Sequence, residues 1–483
     1  MNKLIIIIFF IISTVSVFSQ WQTESRFTNN TDSSLCSANN IAISGQNIHV
    51  VWYDKTGSAY YQVWYKGSTN GGQSWSENRL ISTAGTLTNR KPTISVSGQV
   101  VHIVWESNKD GNYEIYYRRS PDNGISWGAA IRLTNNTGSS TYPVIASSGN
   151  NVHIVWNDDR DIPPQGTVYT KRSIDGGLSW GSDIRLTVLS SDGWVSSASI
   201  AISGEAIHVA FSADIVGFNA EIYYMRSPDN GLSWGSFMRL TNATSDSFCP
   251  SITVSDSTLH IAWQDNRTGN YEIYYKRSYD LGLNWGSDLK MTNNTAPSNL
   301  PCIISSGHTV HLVWQESRDG NPEIYYNRST NRGVTWIPDV RLTNNPWFSS
   351  SPSAAVLDSA VFIVWHDNRD GNYEVYFKKN PTGNPIGIQQ TSTEVPSGFE
   401  LSQNYPNPFN PATNIKISVP KSEFVRLSVY DVTGKEVAAL VKEKLSAGVY
   451  NVDFNASELS SGVYFYRLTS GSFTDVKKMT LVK

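Results

Sequence analysis

SPDNGISW (residues 120–127) and SPDNGLSW (residues 227–234) are copies of one turn, Ser-x-Asp/Asn-x-Gly-x-Ser/Thr/Asn-Trp, found six times in this 483-residue chain. The other copies begin at Ser68, Ser173, Ser278 and Ser329, so the turn returns about every fifty residues. Self-similarity at that period marks a radial or solenoid array rather than a single ordinary core. Working outward from each Trp, the chain reads a strand such as IRLTNN, a loop, a strand such as PSITVSD, then VHIVW, a polar loop and EIYYKRS. Four strands per unit make one small antiparallel sheet. The two middle strands are apolar or aromatic on both faces, as a sheet clamped between two neighbours requires. The pattern predicts an all-β chain dominated by a β-propeller.

Strand types fix the blade number better than turns do, because one turn can decay. VHIVW-like strands end at Trp52, Trp105, Trp156, Phe211, Trp263, Trp314 and Trp365. IRLTNN-like strands start near Arg26, Arg79, Arg132, Arg185, Arg239, Lys290 and Arg341. Both counts give seven blades, with six as the alternative from the turns. The last repeat lacks its Trp and outer strand, whereas Arg26–Asn30 (RFTNN) stands alone at the start. This N-terminal strand is expected to complete the last blade and remove its open edge.

The six turns resemble the Asp boxes of the sialidase and BNR-repeat superfamily, whose members are β-propellers. Asn70, Asp122, Asp175, Asp229, Asp280 and Asn331 occupy the acidic position, where a side-chain oxygen can accept from N–H groups of its own turn. A feature present in every blade is structural rather than catalytic. The resemblance also implies a sialidase mechanism: an arginine triad for the substrate carboxylate, a Tyr nucleophile activated by Glu, and an Asp acid/base. It does not transfer to named positions here. Nearly every propeller Arg is repeated, as at Arg119, Arg172, Arg226, Arg277 and Arg328, with Arg90 the main exception; Tyr–Glu pairs such as Tyr113–Glu114 recur as well. Catalysis stays open, and no catalytic residue is assigned.

Other repeated residues have structural readings. His49, His102, His153, His208, His260 and His311 occupy equivalent positions in blades spaced roughly 10 Å apart, too far for shared metal ligation. The loop Asp367–Asn372 fails the EF-hand pattern: with Gly371 at position six, His366 would be the first ligand and Phe377 the twelfth. Ion pairs between blades and Asx turns are expected in these loops. Cys36, Cys249 and Cys302 allow a Cys249–Cys302 bridge between adjacent blades, or three free thiols. No metal or cofactor is expected.

A closed ring binds its ligand once, so non-repeated residues carry the recognition. The loops leading to the innermost strands border the axial mouth opposite the Asp boxes. There Arg90 and Lys91, Tyr142, Asp192 and Trp194, Asp246 and Phe248, and Trp347 and Phe348 differ from blade to blade, and aromatic faces beside charges suit sugar stacking and hydrogen bonding, with Arg90, Tyr142, Asp192, Trp194, Phe248, Trp347 and Phe348 the candidate contacts. The expected partner is a glycan or a cell-surface protein. An active exo-glycosidase on terminal acidic sugars and a purely structural surface protein are the alternatives.

Residues 1–19 read as an export signal, with Lys3, an apolar run Leu4–Ile12, and small residues before Gln20. Residues 20–380 are the propeller. Residues 381–395 read as a Gly/Pro/Thr linker, and 396–483 as a small Ig-like β-sandwich of period-two strands. That last segment, through LSQNYPNPFNPATNI (401–415), SVYDVTGKEVAAL (428–440), LSSGVYFYRL (459–468) and KKMTLVK (477–483), resembles the C-terminal sorting domain of type IX secretion in Bacteroidetes-like bacteria. The resemblance implies engagement of that machinery and a secreted or surface location. A net charge of −3 without a Lys/Arg run argues against a nucleic-acid partner. No apolar run reaches the roughly 20 residues of a membrane span, and the chain is expected to be a monomer.

Overall fold

The computed structural model describes residues 21–83, 87–161, 166–187, 193–215, 219–381, 388–392, 395–445, 447–456 and 459–483. The expected export signal lies outside these residues. One compact unit spans Trp21–Gly383 and a second Asn384–Lys483. Among the described residues no helix is long and apolar enough to cross a membrane.

The first unit contains seven four-stranded antiparallel sheets. In blade 2 the strands are Asn89–Ser97, Val100–Ser107, Glu114–Ser120 and Ile131–Arg132, hydrogen-bonded in chain order from the axis outward. Blades 1 and 3–6 repeat this order. Apolar side chains on both faces of the middle strands place the core between blades rather than inside one. Val51, Val63 and Tyr65 of blade 1, for example, pack with Ile94, Ile103 and Trp105 of blade 2. Trp52, Trp105, Trp156, Trp263, Trp314 and Trp365 are almost wholly buried. Each removes about 150–250 Å² from water, or about 4–6 kcal/mol of transfer free energy.

Blade 7 settles the number of blades. It combines Ser349–Leu357, Ala360–Asp367 and Glu374–Asn380 with the N-terminal Ser25–Arg26. The graft copies chemistry as well as pairing. In blades 2, 4 and 6 an outer-strand Arg reaches a buried Glu of the third strand, as Arg132 does to Glu114 at 2.8 Å. Arg26 makes the same bond to Glu374 at 2.8 Å, and Asn30 N–H donates to that carboxylate at 2.8 Å. Trp21 supplies the ring that a seventh copy of the Ser-x-Asp/Asn-x-Gly turn would have given. It meets Tyr326 edge-on at 5.1 Å, as Trp336 meets Tyr275 at 5.1 Å.

The boxes act as local clamps. Ser120 Oγ donates to Asp122 Oδ1 at 2.8 Å, which also accepts from Ser126 N–H at 2.8 Å, while Gly124 N–H donates to Ser120 Oγ at 2.8 Å. Gly124 has φ +82°, and a Cβ there would lie 2.0 Å from the Tyr65 hydroxyl of the preceding blade. Glycine is therefore required for interblade contact as well as for the turn. That Tyr65 hydroxyl is 2.7 Å from His49 Nδ1, and His102–Tyr117, His208–Tyr224, His260–Tyr275 and His311–Tyr326 repeat the pair at 2.6–2.7 Å. In blade 3, Thr170 replaces the Tyr, and His153 turns to Asn230 at 2.8 Å. Burial lowers all six imidazoles to a pKa of about 3 or 4. Among the described residues no cluster of His, Cys, Asp or Glu could hold a metal ion.

Two expectations need correction. The charged loops were expected to pair between blades, but Arg267 binds Asp265 at 2.5 Å and Asp288 at 2.8 Å within blade 5, and stacks on Tyr274 of that blade at 4.5 Å. Both carboxylates flank the same hairpin, so the guanidinium reaches them without crossing a seam. The Asx turn does form, with Arg267 N–H donating to Asp265 Oδ1 at 3.0 Å. Bonds between blades come instead from Arg119 Nε to Gly176 O at 2.7 Å and Lys276 Nζ to Leu240 O at 2.5 Å. The second correction concerns the linker: Ile388–Ser392 (IQQTS) inside it forms a strand that pairs with Gly448–Asn455. Its short polar sequence masks a strand that serves as a sheet edge.

The second unit has two four-stranded antiparallel sheets. Alternate residues Val425, Leu427 and Val429 of one and Ile415 and Ile417 of the other enclose a common core with Tyr466, Leu468 and Met479, which is the expected sandwich.

Candidate binding site at the axial mouth

Where the innermost strands begin, the seven blades converge on a cavity of about 290 Å³. In blades 2–7 a register shift interrupts the pairing of the first two strands at this point, a β-bulge. The bulge residue has a positive φ although none is glycine: Lys91 (54°), Tyr142 (51°), Ser197 (36°), Cys249 (51°), Leu300 (51°) and Ser351 (52°). Asn39 of blade 1 matches them at 53°. All seven line the cavity. In five blades the next residue is proline (Pro92, Pro143, Pro250, Pro301 and Pro352). Proline lacks an N–H, so it sits where the ladder is already broken and loses no bond.

A side chain of the preceding blade clasps several of these bulges. Glu106 Oε2 accepts from Tyr142 N–H at 2.8 Å and Gln264 Oε1 from Leu300 N–H at 3.0 Å; in blade 1, where no register shift occurs, His366 Nδ1 accepts from Cys36 N–H, three residues before Asn39, at 3.2 Å. Each clasping residue directly follows the buried Trp of its second strand. The last bond fixes the His366 tautomer, since a nitrogen that accepts carries no proton. Burial holds its pKa near 4.

The expected site residues divide. Tyr142 lines the cavity and is half exposed. Arg90, Trp194, Phe248, Trp347 and Phe348 are not among the lining residues, and Asp192 lies outside the described residues. Arg90 is engaged elsewhere: its Nε binds the fully buried Glu106 at 2.6 Å and its guanidinium stacks on Tyr113 at 4.5 Å. Trp194 and Phe248 stack on each other at 5.8 Å across blades 4 and 5, whereas Trp347 and Phe348 are exposed in the loop before blade 7. Residue-type reasoning overlooked Asn39, Ser197, Cys249, Leu300 and Ser351. A usable signal was present, since a residue followed by Pro recurs at the third position of the innermost strand in five repeats.

The three cysteines are free, and the Cys249–Cys302 bridge does not form. Cys249 is the bulge residue of blade 5 and faces the cavity. Cys302, two residues beyond its blade's bulge, also packs in the seam between blades 6 and 7 beside Val313 and Ala354. Burial raises the pKa of both thiols. Among the described lining residues the only charged side chain is Lys91, with no carboxylate and no arginine.

Residues 403–482 match the family described as the secretion system C-terminal sorting domain. The chain is thus an exported protein, delivered by type IX secretion to the cell surface or the medium. No curated protein matches the chain. Among solved structures, the polysaccharide lyase Uly1 aligns with a TM-score of 0.52 and 11% identity, covering 72% of this chain and 90% of that one. The phage phi92 endosialidase aligns at 0.48 and 13% identity over 95% of this chain and 79% of that one. A Trypanosoma rangeli sialidase mutant with trans-sialidase activity aligns at 0.43 and 13% identity, over 84% and 86%. At these identities the likeness concerns the fold.

Proposed function

We propose that this exported, sialidase-like propeller binds a glycan or a cell-surface protein at its axial mouth and does not hydrolyse it. The observation that carries the reading is the ring of seven backbone-equivalent, left-handed positions that carry six different residue types around one cavity. A volume of about 290 Å³ lies at the lower edge of the range for small-molecule sites, about 300–1,000 Å³. Glycoside hydrolysis ordinarily uses a carboxylate pair flanking the bond, and the described lining offers none.

A glycan array and a panel of fluorogenic glycosides test this together. The expected result is array binding that Tyr142→Ala weakens at least tenfold with an unchanged melting temperature, and no turnover on the panel. Trp194→Ala and Trp347→Ala should leave binding within twofold if the cavity alone recognises the ligand; loss of binding in either would extend the site to the aromatic rim. Sustained turnover would replace the binding reading with an enzymatic one.

A further inference from the structure

We infer that Lys91, rather than the neighbouring Arg90, is the anion-recognising residue of the axial cavity, and that the cavity takes a small ligand carrying a single carboxylate or sulfate group. This rests on the proposed binding role of the mouth and specifies its ligand. The two cations are adjacent in sequence, but the bulge sends them to different fates. Arg90 precedes the bulge and is paired with Glu106 at 2.6 Å. That carboxylate is hydrogen-bonded at both oxygens, the other accepting Tyr142 N–H at 2.8 Å.

Lys91 is the bulge residue itself and lines the cavity. Its ammonium makes no hydrogen bond or ion pair among the described residues; it lies over the Tyr142 ring at 5.4 Å, and through space the Glu106 carboxylate attracts it while the Arg90 guanidinium opposes it. A half-buried ammonium with three donors and no acceptor is incompletely compensated, so an anion entering the cavity supplies what the protein omits. The rest of the ring sets the size of that charge. Asn39, Ser197 and Ser351 offer neutral polar groups and Leu300 an aliphatic one, so one negative charge is matched and a second would be buried without a partner. The Tyr142 ring beside the ammonium provides an apolar face for the body of the ligand. Burial lowers the Lys91 pKa, which is consistent with a cation awaiting a counter-charge.

The full chain would be titrated calorimetrically with D-glucuronate, D-glucose 6-sulfate and neutral D-glucose. Expected is binding of the two anions, weakened by added salt, at least tenfold tighter than glucose, reduced at least tenfold in Lys91→Met and restored to within threefold in Lys91→Arg. A readout on the unaltered protein accompanies it: acylation of Lys91, followed by mass spectrometry, should slow at least threefold with D-glucuronate and not with D-glucose. The inference is overturned if Lys91→Met binds the anions as the parent does, if neither anion binds or protects Lys91, or if a glycan from the array binds equally with and without its charge. The last result would leave the binding role of the mouth standing, whereas no binding to the array or to any of the three titrated sugars would remove the glycan-binding role and the inference together.

Discussion

The six Ser-x-Asp/Asn-x-Gly turns and the axial bulges of blades 2–7 both recur around one ring, yet they use the repeat in opposite ways. At a box the side chains do the holding: Ser, Asp, Gly and Trp are each consumed by a bond or contact, as in Ser120, Asp122, Gly124 and Trp127. At a bulge the backbone does the holding, through a break in the ladder and a clasp on the amide, and the side chain is released toward the axis. The box keeps its residue types while the bulge keeps only its φ. Sequence varies where structure needs nothing from the side chain, and such positions can be recruited for recognition.

This contrast can be broken in four ways. Acid should have the largest effect because it acts on every blade at once. The six repeated histidines and His366 have folded pKa values of about 3 or 4 against 6.5 unfolded. Above pH 6.5 both states are neutral and stability is full; as pH falls from 6.5 toward 4 the unfolded chain takes up protons that the folded ring refuses, and stability is lost. Melting temperature should therefore fall steeply across that window, with proton uptake on unfolding at pH 5, and a flat profile would mean that the imidazoles are not buried neutral. Deleting residues 21–31 comes next. It strips Glu374 of Arg26 and removes Trp21 and Phe27, a loss of more than about 5 kcal/mol, and an unchanged unfolding curve in denaturant would refute the closure.

Gly282→Ala probes a single clamp. With φ +85° and a Cβ position 2.0 Å from the Tyr224 hydroxyl, it should cost about 2–4 kcal/mol. Ser351→Asn at a bulge is the smallest change and should shift stability by less than about 0.5 kcal/mol. Should the two substitutions cost the same in chemical denaturation, the distinction between side-chain and backbone holding fails.

The ring was legible in the sequence because its period is carried by consumed side chains: Trp, Gly, His and the Arg of the outer strand recur where they are buried or bonded. The closing strand was legible for the same reason, since RFTNN copies RLTNN. Trp21 was a residue without a role in that reading, although it precedes Arg26 by the five positions that separate Trp336 from Arg341 and Trp127 from Arg132. The mouth was harder to read. Conspicuous residue types drew attention to Arg90, Trp194 and Trp347, but whether a side chain faces the axis depends on a one-residue bulge that flips its direction. Arg90 and Lys91 look interchangeable in a string of letters and are separated by that flip.

Because Ser25–Arg26 pairs with Tyr376 and Phe377, the final seam joins segments about 350 residues apart, and the bond between Arg26 and Glu374 spans 348 positions. The beginning of the propeller must wait, unpaired, until its end has been made. An interrupted or truncated chain is therefore left with an unpaired N-terminal strand and with Arg26 deprived of Glu374, so any product that lacks its last blade is marked for aggregation rather than tolerated as a smaller disk.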